Sequence, residues 1–167
     1  PNHRYYHESG GSGRFDATQS CAGLPNANEM SWYCMFGDPR WDADELWTTM
    51  GHLYKGGMWF KKKSQISGYT PNTGYNGTDF RTTTIFQSWS ISNTLPSAAD
   101  AGNYFYLPAL GSYFMGKLSQ IGYEGSYWSS SAYPGASNKA YYLNINGASV
   151  FVDNYSRFYG YSVGVFE

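Results

Sequence analysis

The chain has 167 residues, a size that suits one domain with a core of its own. Lys and Arg total 11 against 12 Asp and Glu, and only 14% of residues are charged. That balance leaves no basic excess for nucleic acid, and no apolar run approaches the ~20 residues of a membrane-spanning helix. The unusual figure is 20% aromatic, with 17 Tyr and 6 Trp beside 20 Gly. Tyr joins an apolar ring to a polar tip, and Tyr, Ser, Gly and Asn together are the currency of recognition surfaces. The opening Pro1-Asn2-His3 reads as a trimmed or processed start.

Residues 1–20 are polar and Gly-rich, and Gly10-Gly11-Ser12-Gly13 suggests a lead-in segment or a short hairpin. The remainder, 21–167, reads as one ligand-binding domain. Asn26 followed by Glu29 forms a capping-box pattern, so a helix is expected from there to Gly37-Asp38-Pro39. Asp42, Asp44 and Glu45 before Leu46-Trp47 suggest a second short helix that Gly51 stops. Gly56-Gly57 is expected to turn a hairpin between His52-Leu53-Tyr54 and Met58-Trp59-Phe60. Lys61-Lys62-Lys63 reads as a solvated strand edge. Segments 68–77 and 96–102 are loops around a β-prone stretch, 82–92.

The last third is short strands: 104–107, 126–131, 140–146, 148–153 and 160–166, with a turn at Gly147. Period-two alternation places Tyr141, Leu143, Ile145, Val150 and Val152 inward, and Tyr142, Asn144, Asn146, Phe151 and Asp153 outward. In the final strand Tyr161, Val163 and Val165 alternate with Ser162, Gly164 and Phe166. Helices early and strands late make the class α+β.

Little here points to catalysis. His3 and His7 lie at the terminus without a helical pattern, and His52 has no nucleophile motif beside it. The acids at 38, 42, 44 and 45 lack a calcium-loop pattern and read as helix-start acids. No phosphate loop and no nucleophile elbow occurs, so no cofactor, metal or enzymatic role is expected. Cys21 and Cys34 suit either one disulfide or two separate thiols. Each Trp reads as core, while Tyr123, Tyr133, Tyr142 and Tyr155 with Asn144, Asn146 and Asn154 read as a solvent-facing recognition surface.

Phe105-Tyr106-Leu107-Pro108-Ala109-Leu110-Gly111, then Gly125-Ser126-Tyr127-Trp128-Ser129-Ser130-Ser131, resembles the Fibrobacter succinogenes major paralogous domain. So do 140–145, 150–154, Arg157, Gly160-Tyr161-Ser162-Val163 and the early Leu24-Pro25-Asn26-Ala27-Asn28-Glu29-Met30. The resemblance implies a C-type-lectin-like fold with two short early helices and twisted antiparallel sheets. It implies a secreted or cell-surface protein, as in Bacteroidetes surface and pilus-associated proteins. Its partner would be a protein or glycan ligand, with an upstream pilus or lipoprotein domain also in view; nucleic acid and membrane insertion are not implied.

Similar domains serve as variable proteins of diversity-generating retroelements. On that reading the ligand face is Tyr113, Phe114, Tyr123, Tyr142, Asn144, Asn146, Phe151, Asp153, Asn154, Tyr155 and Phe158. The alternative is a structural module of a pilus or envelope assembly. The chain lacks the Glu-Pro-Asn, Gln-Pro-Asp and Trp-Asn-Asp motifs of calcium lectins, and the late cysteine pair of formylglycine-generating enzymes.

Overall fold

A computed structural model describes residues 21–164 and 166–167, together with the backbone of two paired strands, β1 (His3–Tyr5) and β2 (Phe15–Asp16). The side chains of His3 and His7, the 10–13 glycine segment and Val165 lie outside the described residues. Helix α1 (Ala27–Phe36) starts where the capping box places it. The Asn26 side chain accepts from the Glu29 amide at 3.0 Å, and the Glu29 carboxylate accepts from the Asn26 amide at 2.8 Å. Gly37 closes the helix, its N–H reaching the Trp32 and Tyr33 carbonyls.

The second expected helix is a strand instead. β3 (Arg40–Thr49) pairs antiparallel with β4 (His52–Lys61), and β4 pairs with β6 (Tyr104–Pro108). The ladder shifts between Asp42 and Leu46, so the acidic run is a bulge. There Asp42 Oδ1 accepts from the amides of Asp44 and Glu45, both at 3.0 Å, and Oδ2 accepts from the Trp59 indole. This is the bonding an acid gives a helix start, here used to satisfy a bulge. The hairpin turn also moves. Met50 (φ 50°) and Gly51 (φ 77°) make the tight turn, and Gly56-Gly57 sit within β4.

The larger sheet runs β5-β11-β10-β9, all antiparallel: β5 (Gln87–Ser90), β9 (Glu124–Ala132), β10 (Lys139–Asn146) and β11 (Ser149–Ser156). At the turn between the last two, Asn146 Oδ1 accepts from the Ala148 and Ser149 amides. The inner face carries Tyr127, Tyr141, Leu143, Ile145, Val150 and Val152, all buried. They meet Ala27, Met30, Tyr33 and Cys34 of α1 and Met58, Phe60, Phe105 and Leu107 of the smaller sheet. The helix therefore lies against both sheets, and burial of these aliphatic and aromatic side chains holds the fold together. A ribbon of β7 (Ser112–Phe114) and β8 (Lys117–Ser119) turns through Met115 and Gly116, both at positive φ.

Among the described residues, one α-helix and separate open antiparallel sheets keep the α+β class but overturn the two-helix C-type-lectin-like arrangement. Among the described residues of 160–166 the expected strand does not form: Gly160 and Ser162 make isolated bridges to Tyr113 and Tyr127. Cys21 and Cys34 are separate thiols. Of the three lysines, Lys62 pairs with the Glu167 carboxylate at 2.8 Å, and Lys63 opens a short 3-10 turn.

The long glycine-rich loop is built onto α1. Asn28, fully buried, donates to the carbonyl of Pro71 and to Asp79, and its Oδ1 accepts from the Phe80 amide at 2.7 Å. Trp32 donates to the Thr73 carbonyl, and Ser31 accepts from the Tyr75 amide. Sheet on one side and loop on the other explain why α1 lacks a simple apolar stripe.

Candidate functional site

Register decides which side chains share the outer face of the larger sheet. Tyr142 pairs with Asp153 and Trp128, and Asn144 with Phe151 and Ser126. Asn146 pairs with Glu124, and Ala140 with Tyr155. These residues therefore project to one side, opposite the core, as the alternation implies. Solvent exposure does not follow. Tyr142 is 6% exposed and Asn144 4%, so neither is a free recognition group.

The cover comes from residues 157–162, which fold back beside β9. The Trp128 amide donates to the Ser162 carbonyl, and the Ser162 amide to that of Ser126. This brings Tyr161 over the sheet, its ring 4.5 Å from Trp128 and 4.8 Å from Tyr142. Asn144 is consumed differently: its amide donates to Ser126 Oγ, and its carbonyl accepts from Asn146.

A continuous aromatic patch results. Tyr142 meets Phe151 and Tyr155 edge-on, at 6.1 and 6.4 Å. Tyr155 meets Tyr159 at 4.5 Å, and Tyr159 lies flat on Phe114, with centroids 4.3 Å apart and planes 3° from parallel. Phe158 joins the same corner, 4.8 Å from Tyr159. Tyr155 is 40% exposed, so the patch opens to solvent there. Tyr113 and Met115, on the adjoining ribbon, are exposed as well.

The phenols at its centre stay protonated through neutral pH. Burial pushes the Tyr142 hydroxyl well above the usual tyrosine range, and Asp153 and Glu124 push the same way. Burial does the same to Tyr161, reinforced by Tyr142. The face thus offers planar rings, phenolic donors and two nearby carboxylates, a chemistry of contact and hydrogen bonding.

Of the expected ligand residues, the structure brings together Phe114, Tyr142, Phe151, Tyr155 and Phe158, with Asp153 beside them. Asn154 pairs with Tyr141, which places it on the other face. Tyr133 likewise packs edge-on against buried Tyr141. Asn144 and Asn146 bond to each other farther along the sheet, and Tyr123 stands apart from the rings, 77% exposed. Sequence reasoning missed Trp128, Tyr159 and Tyr161. The signal available was the run Phe158-Tyr159-Gly160-Tyr161, in which rings come too densely for a two-residue alternation.

The acids considered for metal binding are dispersed among structural tasks. Asp38 holds Arg40 at 2.9 Å and accepts from Tyr104, Asp42 fills the bulge, and Asp44 meets Lys55 at 2.9 Å. Among the described residues no helix is long and apolar enough to cross a membrane. The chain matches no family model, no curated protein and no solved structure.

Proposed function

We propose that this chain is a binding domain of the receptor or adhesin kind, secreted or displayed on a cell surface, which grips a protein or glycan ligand through its aromatic patch. The supporting observation is the ring cluster itself. The ladder places the rings of β9, β10 and β11 on one face, Phe114 of β7 and the rings of the 158–161 segment join them there from outside that sheet, and the cluster opens to solvent at Tyr155. Exposed aromatic area of this kind marks interaction surfaces, and Tyr is favoured at their energetic centres.

The resemblance to retroelement variable proteins sharpens the reading. Substitution would fall on the open positions Tyr113, Phe114, Phe151, Asp153, Tyr155 and Phe158. It would spare Tyr142 and Asn144, which the fold itself uses. A nearby template repeat differing from this chain's coding sequence at those positions supports diversification, and a template matching the coding sequence throughout counts against it.

The direct test is binding of wild type and Tyr155→Ser to arrays of glycans and extracellular proteins. Tyr155 is at the rim, so its loss leaves the fold in place. Ligands that wild type holds should weaken by about 10-fold or more in the variant, as for a hot-spot tyrosine. Equal binding by both proteins removes the patch as the contact surface.

A further inference from the structure

Tyr123 belongs to a different feature, a cleft of about 570 Å³ between the β3–β4 hairpin and the 121–123 loop. Trp41 and Gly147 lie along it, with Leu53, Tyr54, Lys55 and Ile121. Its volume is within the range of small-molecule sites. Close backbone contact makes it. Gly56, at φ +97°, lets β4 approach the Gly122 carbonyl, where a Cβ would collide with that oxygen and touch the Trp41 ring.

Two of its rings stand outside the aromatic network, although Trp41 also packs against the hydrophobic core. Trp41 and Tyr123 make no ring contact with any described residue, in a protein where most aromatics pair. The Trp41 indole N–H, beside Gly147, donates to no described group. Among the described residues, Lys55 is the sole charged side chain lining the cleft. It is held at 2.9 Å by Asp44, but both partners are exposed, 62% and 87%, and such pairs exchange partners at little cost.

From two rings that pair with no described aromatic, an indole N–H that donates to no described group and one cation among the described residues lining an otherwise apolar cleft, we infer a second binding site, for a planar aromatic carboxylate, distinct from the aromatic patch. Its ring enters between Trp41 and Tyr123, and its carboxylate takes the Lys55 ammonium. A free aromatic acid and a peptide ending in an aromatic residue share this chemistry.

The experiment is an NMR titration of the intact chain, following the Trp41 indole N–H. The probes are N-acetyl-tryptophan, its uncharged amide, a Gly-Gly-Trp peptide with a free carboxyl end, and methyl glucoside. The two carboxylates should produce a saturable shift, and the amide should bind about 10-fold more weakly. Preference between the two carboxylates identifies the source.

Lys55→Met should erase the difference between acid and amide. Asp44→Asn, which frees Lys55, should tighten the acid by about 3-fold at low salt and less at high salt. Tyr123→Ala, on the exposed rim, should weaken every aromatic probe while leaving the unliganded spectrum folded. Tyr155→Ser should change none of these values, so failure here and failure of the patch reading are distinguishable. Equal binding of acid and amide to wild type, a Trp41 signal that does not move, or tighter binding of the glucoside overturns the proposal.

Discussion

Asn28 shows how much one polar side chain can hold. It is fully buried on α1, yet all its bonds leave the helix for the 71–80 loop. Asn28→Ala would strand the Phe80 amide without a partner in a dry environment. A loss of about 2–3 kcal/mol is expected, read as an earlier midpoint in chemical denaturation. An unchanged midpoint would mean that the loop does not depend on the helix.

The buried phenols give a second residue-scale test. Burial pushes Tyr33 up to about 12, and burial with the Asp38 carboxylate pushes Tyr104 to about 12, against 10.0 for a free tyrosine. Below pH 10 both folded and unfolded chains keep these protons, and the contribution is whole. Between about 10 and 12 the unfolded chain releases them first, so stability should fall as pH rises through that window. Urea midpoints at stepped alkaline pH check this, and a flat profile would contradict the burial.

At the scale of elements, the local signals were real but did not always decide. Helix α1 was legible because a capping box has few other uses and nothing in the fold competes with it. β3 was not, because Asp42 offers neighbouring amides the same acceptor that a helix start needs. Pairing with β4, including the stacked Trp47–Tyr54 rings at 5.3 Å, outweighed that local preference. The hairpin turn was misplaced for a related reason. Two glycines advertise a turn, whereas Met at positive φ gives no such signal.

What Gly56 does is permit contact, since its missing Cβ leaves room for the Gly122 carbonyl. Gly56→Ala combines an unfavourable φ with that collision, and roughly 2 kcal/mol or more of stability should be lost. A thermal melt within experimental scatter of wild type would show that the 121–123 loop can simply move aside.

Across the molecule, the larger sheet is covered on both sides: inward by α1 and the smaller sheet, outward by the aromatic patch. Face membership could be read from alternation, since the period of a strand is fixed by its geometry. Exposure could not, because whether Tyr142 meets water depends on where residues 157–162 travel after β11 ends. That path is set by the long-range hydrogen bonds of Ser162 to Ser126 and Trp128. The same limit applies to the site. Five rings of the expected face do gather, but Tyr123 and the three asparagines belong elsewhere.

The two thiols make the protein its own stopwatch. Cys34 is sealed on the core-facing side of α1, where burial raises its pKa well above the ordinary thiol value, while Cys21 is half-exposed and lines another cavity. A maleimide should therefore tag Cys21 at once and Cys34 only when the helix lifts away. The lag between first and second tag, followed by mass spectrometry, times that opening under native conditions. Simultaneous tagging would mean that the helix is not the lid the packing describes.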